Sequence, residues 1–165
     1  CTPSRHYLNL VIVFLLCGNG AARTSLERSA EGLGNIKFLD LQPLENLNEL
    51  LNAADIHLVP QQANAADLVM PSKLLGMLAS GKPIIATAAQ GTELADLVSK
   101  IGKVVAPGDP GALSKAILEM ANSKIDRVKF GREGRNMAVE NWDQDLVLSS
   151  FMDQVESLIN VKLKD

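Results

Sequence analysis

The sequence predicts an α/β fold, a parallel sheet flanked by helices on both faces. Three observations point to it. Short apolar runs alternate with longer amphipathic stretches along most of the 165 residues. The runs VIVFLL and PIIA are apolar throughout instead of alternating, as strands are when helices cover both faces of a sheet. Glycine and proline punctuate the junctions, as in Gly18-Asn19-Gly20 after the first run and Gly81-Lys82-Pro83 before the fourth.

The elements follow in order. Residues 10–16 read as a strand and 22–33 as a helix; then come strand 36–39 and helix 44–54, strand 56–59 and helix 72–79, strand 84–86 and helix 92–98. The apolar run 8–17 is too short to span a bilayer, and the turn chemistry after it favours a buried strand over a signal segment. In PSKLLGMLASGKP, Pro71 suits a first helical turn, and Leu74, Leu75, Leu78 and Ala79 form the expected buried stripe. Gly81 stops that helix and Pro83 leads into the next strand. Residues 104–106 read as a last strand, after which Asp109 caps a helix that has Pro110 at its first position. Residues 125–140 and 143–160 are helical, with no strand between them. The organisation expected is an N-terminal segment 1–9, an α/β unit 10–142 and a C-terminal helix 143–165.

Nearly half the residues are apolar, enough for a proper core. The formal charge is −3, with both signs mixed along the chain, which argues against a nucleic-acid partner held by a basic face. Cys1 and Cys17 have neither disulfide-framework nor zinc-site spacing and fit a reducing compartment.

Ligands of open α/β sheets bind outside the carboxyl ends of the strands. Three strand-to-helix junctions there suit a diphosphate. Gly18 and Gly20 permit close backbone approach, Gly91-Thr92 supplies donors at a helix start, and Lys73 adds a cation beside Ser72 at another. Glu93 reads more readily as a helix-start residue favouring the dipole than as a ligand-binding one. Asp67 lies in a long irregular loop, either solvated or near the ligand. His57 reads as a satisfied core histidine within a strand, and His6 carries no signal. The third glycine of a dinucleotide fingerprint is missing, as are a GKS/GKT sequence and a GxSxG elbow, so the simple dehydrogenase, P-loop and hydrolase readings fall. A reaction driven by positioning and leaving-group stabilisation tolerates such a site.

The series VIVFLLCGNGAARTSLE, NIKFLDLQPLENLNELLNAADIHLVPQ, PSKLLGMLASGKPIIAT, GTEL, VVAPGDPGALSKAILEM and a closing NWD resembles the C-terminal, donor-binding half of GT-B glycosyltransferases of retaining family 4. LQP, PSK, LASGKP and GTEL together resemble transferases of bacterial surface-polysaccharide assembly, including those that move N-acetyl-L-fucosamine. The resemblance implies a Rossmann-like unit that binds a UDP-sugar as substrate, with no cofactor and no metal. It places Leu41 and Gln42 beside the base, bonding it through the main chain. Lys73 and Ser72 approach the diphosphate or sugar, Gly91, Thr92 and Glu93 form the turn near the phosphates, and Gly18 and Gly20 line the floor. The family's two glutamates, eight residues apart, correspond here to Leu68 and Gly76; Asp67 stands in for the first by a one-residue slip.

The resemblance also implies a further strand and helix, and an acceptor-binding domain, ahead of VIVFLL. The chain is therefore expected to be a fragment, inactive alone, cytoplasmic or peripheral at the inner membrane face, and self-associating through an exposed sheet edge. A non-catalytic α/β scaffold or oligomerisation domain, and a UDP-sugar epimerase, are the alternatives.

Overall fold

The computed structural model describes residues 12–62 and 73–162. The expected segment 1–9, together with Asp67, Leu68, Pro71 and Ser72, lies outside the described residues. In chain order the elements are β1 (Phe14–Cys17), α1 (Arg23–Ser29), β2 (Ile36–Leu39), α2 (Leu47–Ala53) after a 3-10 turn at Leu44–Asn46, β3 (His57–Pro60), α3 (Lys73–Ala79), β4 (Ile84–Thr87), α4 (Glu93–Ile101), β5 (Gly102–Val105), α5 (Pro110–Asn122), α6 (Lys124–Trp142) and α7 (Gln144–Lys162). Each expected strand and helix with described residues is present, with ends displaced by a few residues.

All strand pairs are parallel. The strands form two sheets, β1-β2 and β3-β4-β5, rather than one continuous sheet. The reason lies in the ladders. The Phe14 and Gly18 amides donate to Asn35 O (2.8 Å) and Leu39 O (3.0 Å), while those of His57 and Gln61 donate to Pro83 O (2.9 Å) and Thr87 O (3.2 Å). Strand backbones alternate direction, so the ladder groups of Leu15 and Leu58 point the other way. Among the described residues no strand meets them there.

The core sits on both faces of the three-stranded sheet, and the period-2 alternation of β4 divides it. Ile84 and Ala86 pack with Val59, Leu74, Leu78, Leu94, Val98 and Ile101 on the face covered by α3 and α4, with Ala138 of α6 behind them. Ile85 faces the opposite cluster, with Val105, Ala116, Ile117 and Met120. Phe14 of β1 and Leu58 of β3 pack against that second cluster. Each fully buried aliphatic side chain contributes about 2 kcal/mol by leaving water.

The buried stripe of α3 is narrower than expected. Leu74 and Leu78 are buried, but Leu75 is 41% exposed and Ala79 faces solvent. Leu75 sits 100° round the helix from Leu74, on the side that neither the sheet nor α6 covers.

The α3 helix stops at Gly81, whose φ of +69° is the left-handed conformation that glycine alone adopts freely. The Gly81 carbonyl presses on α6 at Gly131, where an added Cβ would meet it at 2.0 Å. His57 is buried and lies 3.0 Å from Ser80 Oγ. The one proton of that hydroxyl goes to Met77 O (2.6 Å), so His57 Nε2 is the donor of the pair. The expected satisfied core histidine is found. Burial, with Lys82 nearby, holds its pKa below the ordinary value.

Two stability predictions follow from this packing. Gly131→Ala lowers stability by roughly 2–3 kcal/mol, because backbone must move to admit the methyl. Gly20→Ala, where a Cβ meets nothing within 4 Å, leaves the thermal midpoint unchanged. Equal midpoints for the two variants would contradict the tight crossing. Burial makes His57 harder to protonate in the folded chain than in the unfolded one, which takes up a proton below about pH 6.5, so its contribution is intact above that pH and fades as pH falls through it. Denaturant titrations of His57→Gln between pH 7.5 and 5.5 should give a shallower loss of stability than the wild type.

Candidate functional site

Because the strands are parallel, the turns after β1, β2, β3, β4 and β5 all open at the carboxyl edge of their sheets. The predicted residues that are described gather at that edge. Gly18 and Gly20 follow β1, Leu41 and Gln42 follow β2, Gly91, Thr92 and Glu93 follow β4, and Lys73 opens the helix after β3. Asp67 and Ser72 belong to the β3–α3 connection, outside the described residues.

The β4–α4 turn is the best-defined part. Gly91 has φ +79°, and an added Cβ would point into open space. Thr92 is buried and caps α4: its Oγ1 accepts from the Ala95 amide (3.2 Å) and donates to Ala89 O (2.8 Å). The hydroxyl expected to serve a phosphate thus spends its only proton inside the turn, and Thr92 acts through the backbone it shapes. The Asp96 amide is taken by Thr92 O (3.0 Å). Among the described residues the Glu93 and Leu94 amides have no partner, and they stand at the positive end of the helix dipole. Glu93 is exposed in the first turn, where its charge favours the dipole.

The β1–α1 turn is equally open. Gly18 has φ +137°, and neither it nor Gly20 has an atom within 4 Å of a built Cβ. Beside it, Leu41 is 74% exposed and presents an apolar face. The Gln42 side chain folds back to donate to Asp40 O (3.0 Å), which also accepts from Cys17 Sγ (3.1 Å). Lys73 is exposed at the first residue of α3. Gly76 packs toward α2, where an added Cβ would meet Leu51 Cδ1 at 3.1 Å. Where the resembling family carries its second carboxylate, this chain brings two helices together.

Two residues of this edge were not singled out from the sequence. Thr87, the last residue of β4, holds the start of the β3 loop: its Oγ1 donates to Gln61 O and accepts from the Gln61 amide, both at 2.8 Å. Arg23, at the start of α1, joins the first two turns through its guanidinium. The sequence signal for both was position, a polar residue at a strand end and a basic residue at a helix start; neither is a motif. A cavity of about 400 Å³ between β5 and α5, lined by Lys103, Lys115 and Glu119 among others, includes none of the predicted residues.

The arrangement can hold an anion against main-chain amides, with a basic side chain at the start of α3 and an exposed apolar side chain, Leu41, after β2. That suits a nucleoside diphosphate. Comparison with known proteins places the chain in a family. WcaI of Escherichia coli K12, described as a colanic acid biosynthesis glycosyl transferase, is 32% identical over 146 residues, which is 87% of this chain and 36% of that protein. Two solved structures share the fold. Sucrose-phosphate synthase of Thermosynechococcus elongatus has a TM-score of 0.74 at 22% identity, over 89% of this chain and 38% of that one. HepE of Anabaena, solved with UDP and glucose, has a TM-score of 0.71 at 18% identity, over 88% of this chain and 40% of that one. The chain thus spans well under half the length of these proteins. The family described as glycosyl transferases group 1 matches residues 5–123, and the chain belongs to that family.

Proposed function

We propose that the chain is the donor-binding half of a retaining glycosyltransferase of family 4, holding the nucleotide of a UDP-sugar at the carboxyl edge of its sheets. One observation carries the reading: the unpartnered Glu93 and Leu94 amides behind the positive-φ Gly91 turn lie on the same edge as the open Gly18–Gly20 turn. Diphosphate binds at the first site with Lys73 neutralising charge, and the base lies along Leu41 and Gln42. Asp67 and Ser72 complete the sugar end. Helix dipole and ammonium stabilise the departing diphosphate without a metal.

The acceptor is a glycan or a lipid-linked sugar of surface-polysaccharide assembly, met at the inner membrane face. The colanic acid role described for the Escherichia coli relative supports that class. The donor sugar is of the deoxy-amino kind, as in N-acetyl-L-fucosamine. No helix among the described residues is long and apolar enough to cross a membrane. Transfer needs a second domain to deliver the acceptor, so the chain alone binds donor without turning it over.

The packing of Gly76 on Leu51 favours a second reading, a non-catalytic scaffold, since it uses for helix contact the place of a ribose-binding carboxylate. Calorimetric or NMR titration with UDP separates the two: the donor reading expects saturable binding, and a folded sample that ignores millimolar UDP supports the scaffold. Lys73→Ala should weaken UDP on the order of tenfold through loss of a charge-assisted contact, while Lys124→Ala leaves it unchanged. Equal effects would remove Lys73 from the site. Gly91→Ala should weaken UDP further, because the new side chain strains a backbone at φ +79°.

A further inference from the structure

We infer that Arg23 is the positioning residue for the base end of the donor site, locking the β1–α1 and β2–α2 turns into one surface. Its Nη1 lies within hydrogen-bond distance of Gly18 O (3.1 Å) and Asn19 Oδ1 (2.7 Å) on the first turn. The same nitrogen reaches Leu39 O (3.0 Å) and Asp40 Oδ1 (2.8 Å) on the second. Its Nε donates to Glu27 Oε1 (2.8 Å) one helical turn on, which fixes the plane of the guanidinium. The ion pairs with Glu27 and Asp40 hold the side chain more firmly in its charged form. With a side chain 23% exposed, Arg23 is sunk between the turns rather than reaching into solvent.

The consequence is geometric. The two turns leave neighbouring strands, and beyond Gly18 N to Leu39 O (3.0 Å) the β1-β2 ladder is finished. From there Arg23 is the side chain that spans both turns, assisted by the Cys17 thiol on Asp40 O. Asp40 directly precedes Leu41 and Gln42, so fixing its carboxylate and the Leu39 carbonyl fixes where the next main-chain groups point. A lysine cannot replace it, because one ammonium lacks the planar fork that meets both turns and Glu27 together. Its Nε and Nη1 donors serve Glu27 and the two turns, and through them it acts on Leu41 and Gln42.

This rests on the proposed reading that the base lies along Leu41–Gln42, and the test separates the two claims. The 165-residue chain is titrated with UDP and, separately, with inorganic pyrophosphate, following the Leu41, Gln42 and Gly91 amides by NMR. Arg23→Ala should weaken UDP by about tenfold and abolish its shifts at Leu41 and Gln42, while pyrophosphate affinity and the Gly91 shift stay at wild-type values. Arg23→Lys should recover little, and Asp40→Asn should lose a smaller part of the same selectivity. Loss of UDP and pyrophosphate in equal measure, or unchanged UDP binding in Arg23→Ala, overturns the positioning role alone. A wild-type chain that binds pyrophosphate but gives no UDP shift at Leu41 or Gln42 overturns the base assignment and the positioning role with it. If Arg23→Ala fails to fold, Arg23→Lys decides: wild-type UDP affinity in that variant overturns the inference.

Discussion

Parallel pairing is the constraint on which the molecule depends. A chain that runs each strand in the same direction must return across the sheet between strands, and here helices make every described return. All strand-to-helix turns then collect on one edge and all helix-to-strand returns on the other. The carboxyl edge inherits helix starts, with their unpaired amides and positive dipole ends; the opposite edge inherits helix stops such as Gly81. Neither edge can exchange roles with the other without reversing a strand, so the place of the candidate site is fixed before any side chain is considered.

The two edges are finished differently. At the amino edge the α3–β4 return is packed to contact, with Gly81 pressed on Gly131 and His57 held against Ser80 Oγ in a setting where charge is disfavoured, whereas Gly32 and Gly34 of the α1–β2 return face open space. At the carboxyl edge the same residue type, glycine, faces open space at positions 18, 20 and 91. α3, α4 and α6 are anchored through Leu74, Leu78, Val98, Ile101 and Ala138. Polar side chains at the open edge then stiffen the turns without filling them. Thr92 shapes the β4–α4 turn, Thr87 holds Gln61, and Arg23 ties the first two turns together.

The chain belongs to the glycosyl transferases group 1 family. The departure at position 76 shows how the same scaffold is rebalanced. A glycine there lets α2 approach α3 through Leu51, and the contact replaces whatever a carboxylate would do from that helix. The Arg23 linkage is found between the turns after β1 and β2.

By itself the sequence determined the α/β class, the order of elements and the turns that carry glycine, because each follows from local rules. Apolar periodicity, Pro110 behind Asp109 and Gly81 at a helix stop are all read within a few residues of one another, and Asp109 does cap α5 through the Ala112 amide at 2.8 Å. The tertiary structure alone decided what long-range contacts decide. It divided the strands into two sheets, exposed Leu75 on a helix whose neighbours cover the other side, and committed the Thr92 hydroxyl to its own turn. It also placed Arg23 against Leu39 and Asp40, sixteen and seventeen residues away in sequence. A partner that far along the chain leaves no periodic trace, so only the folded backbone reveals which acceptors a side chain meets.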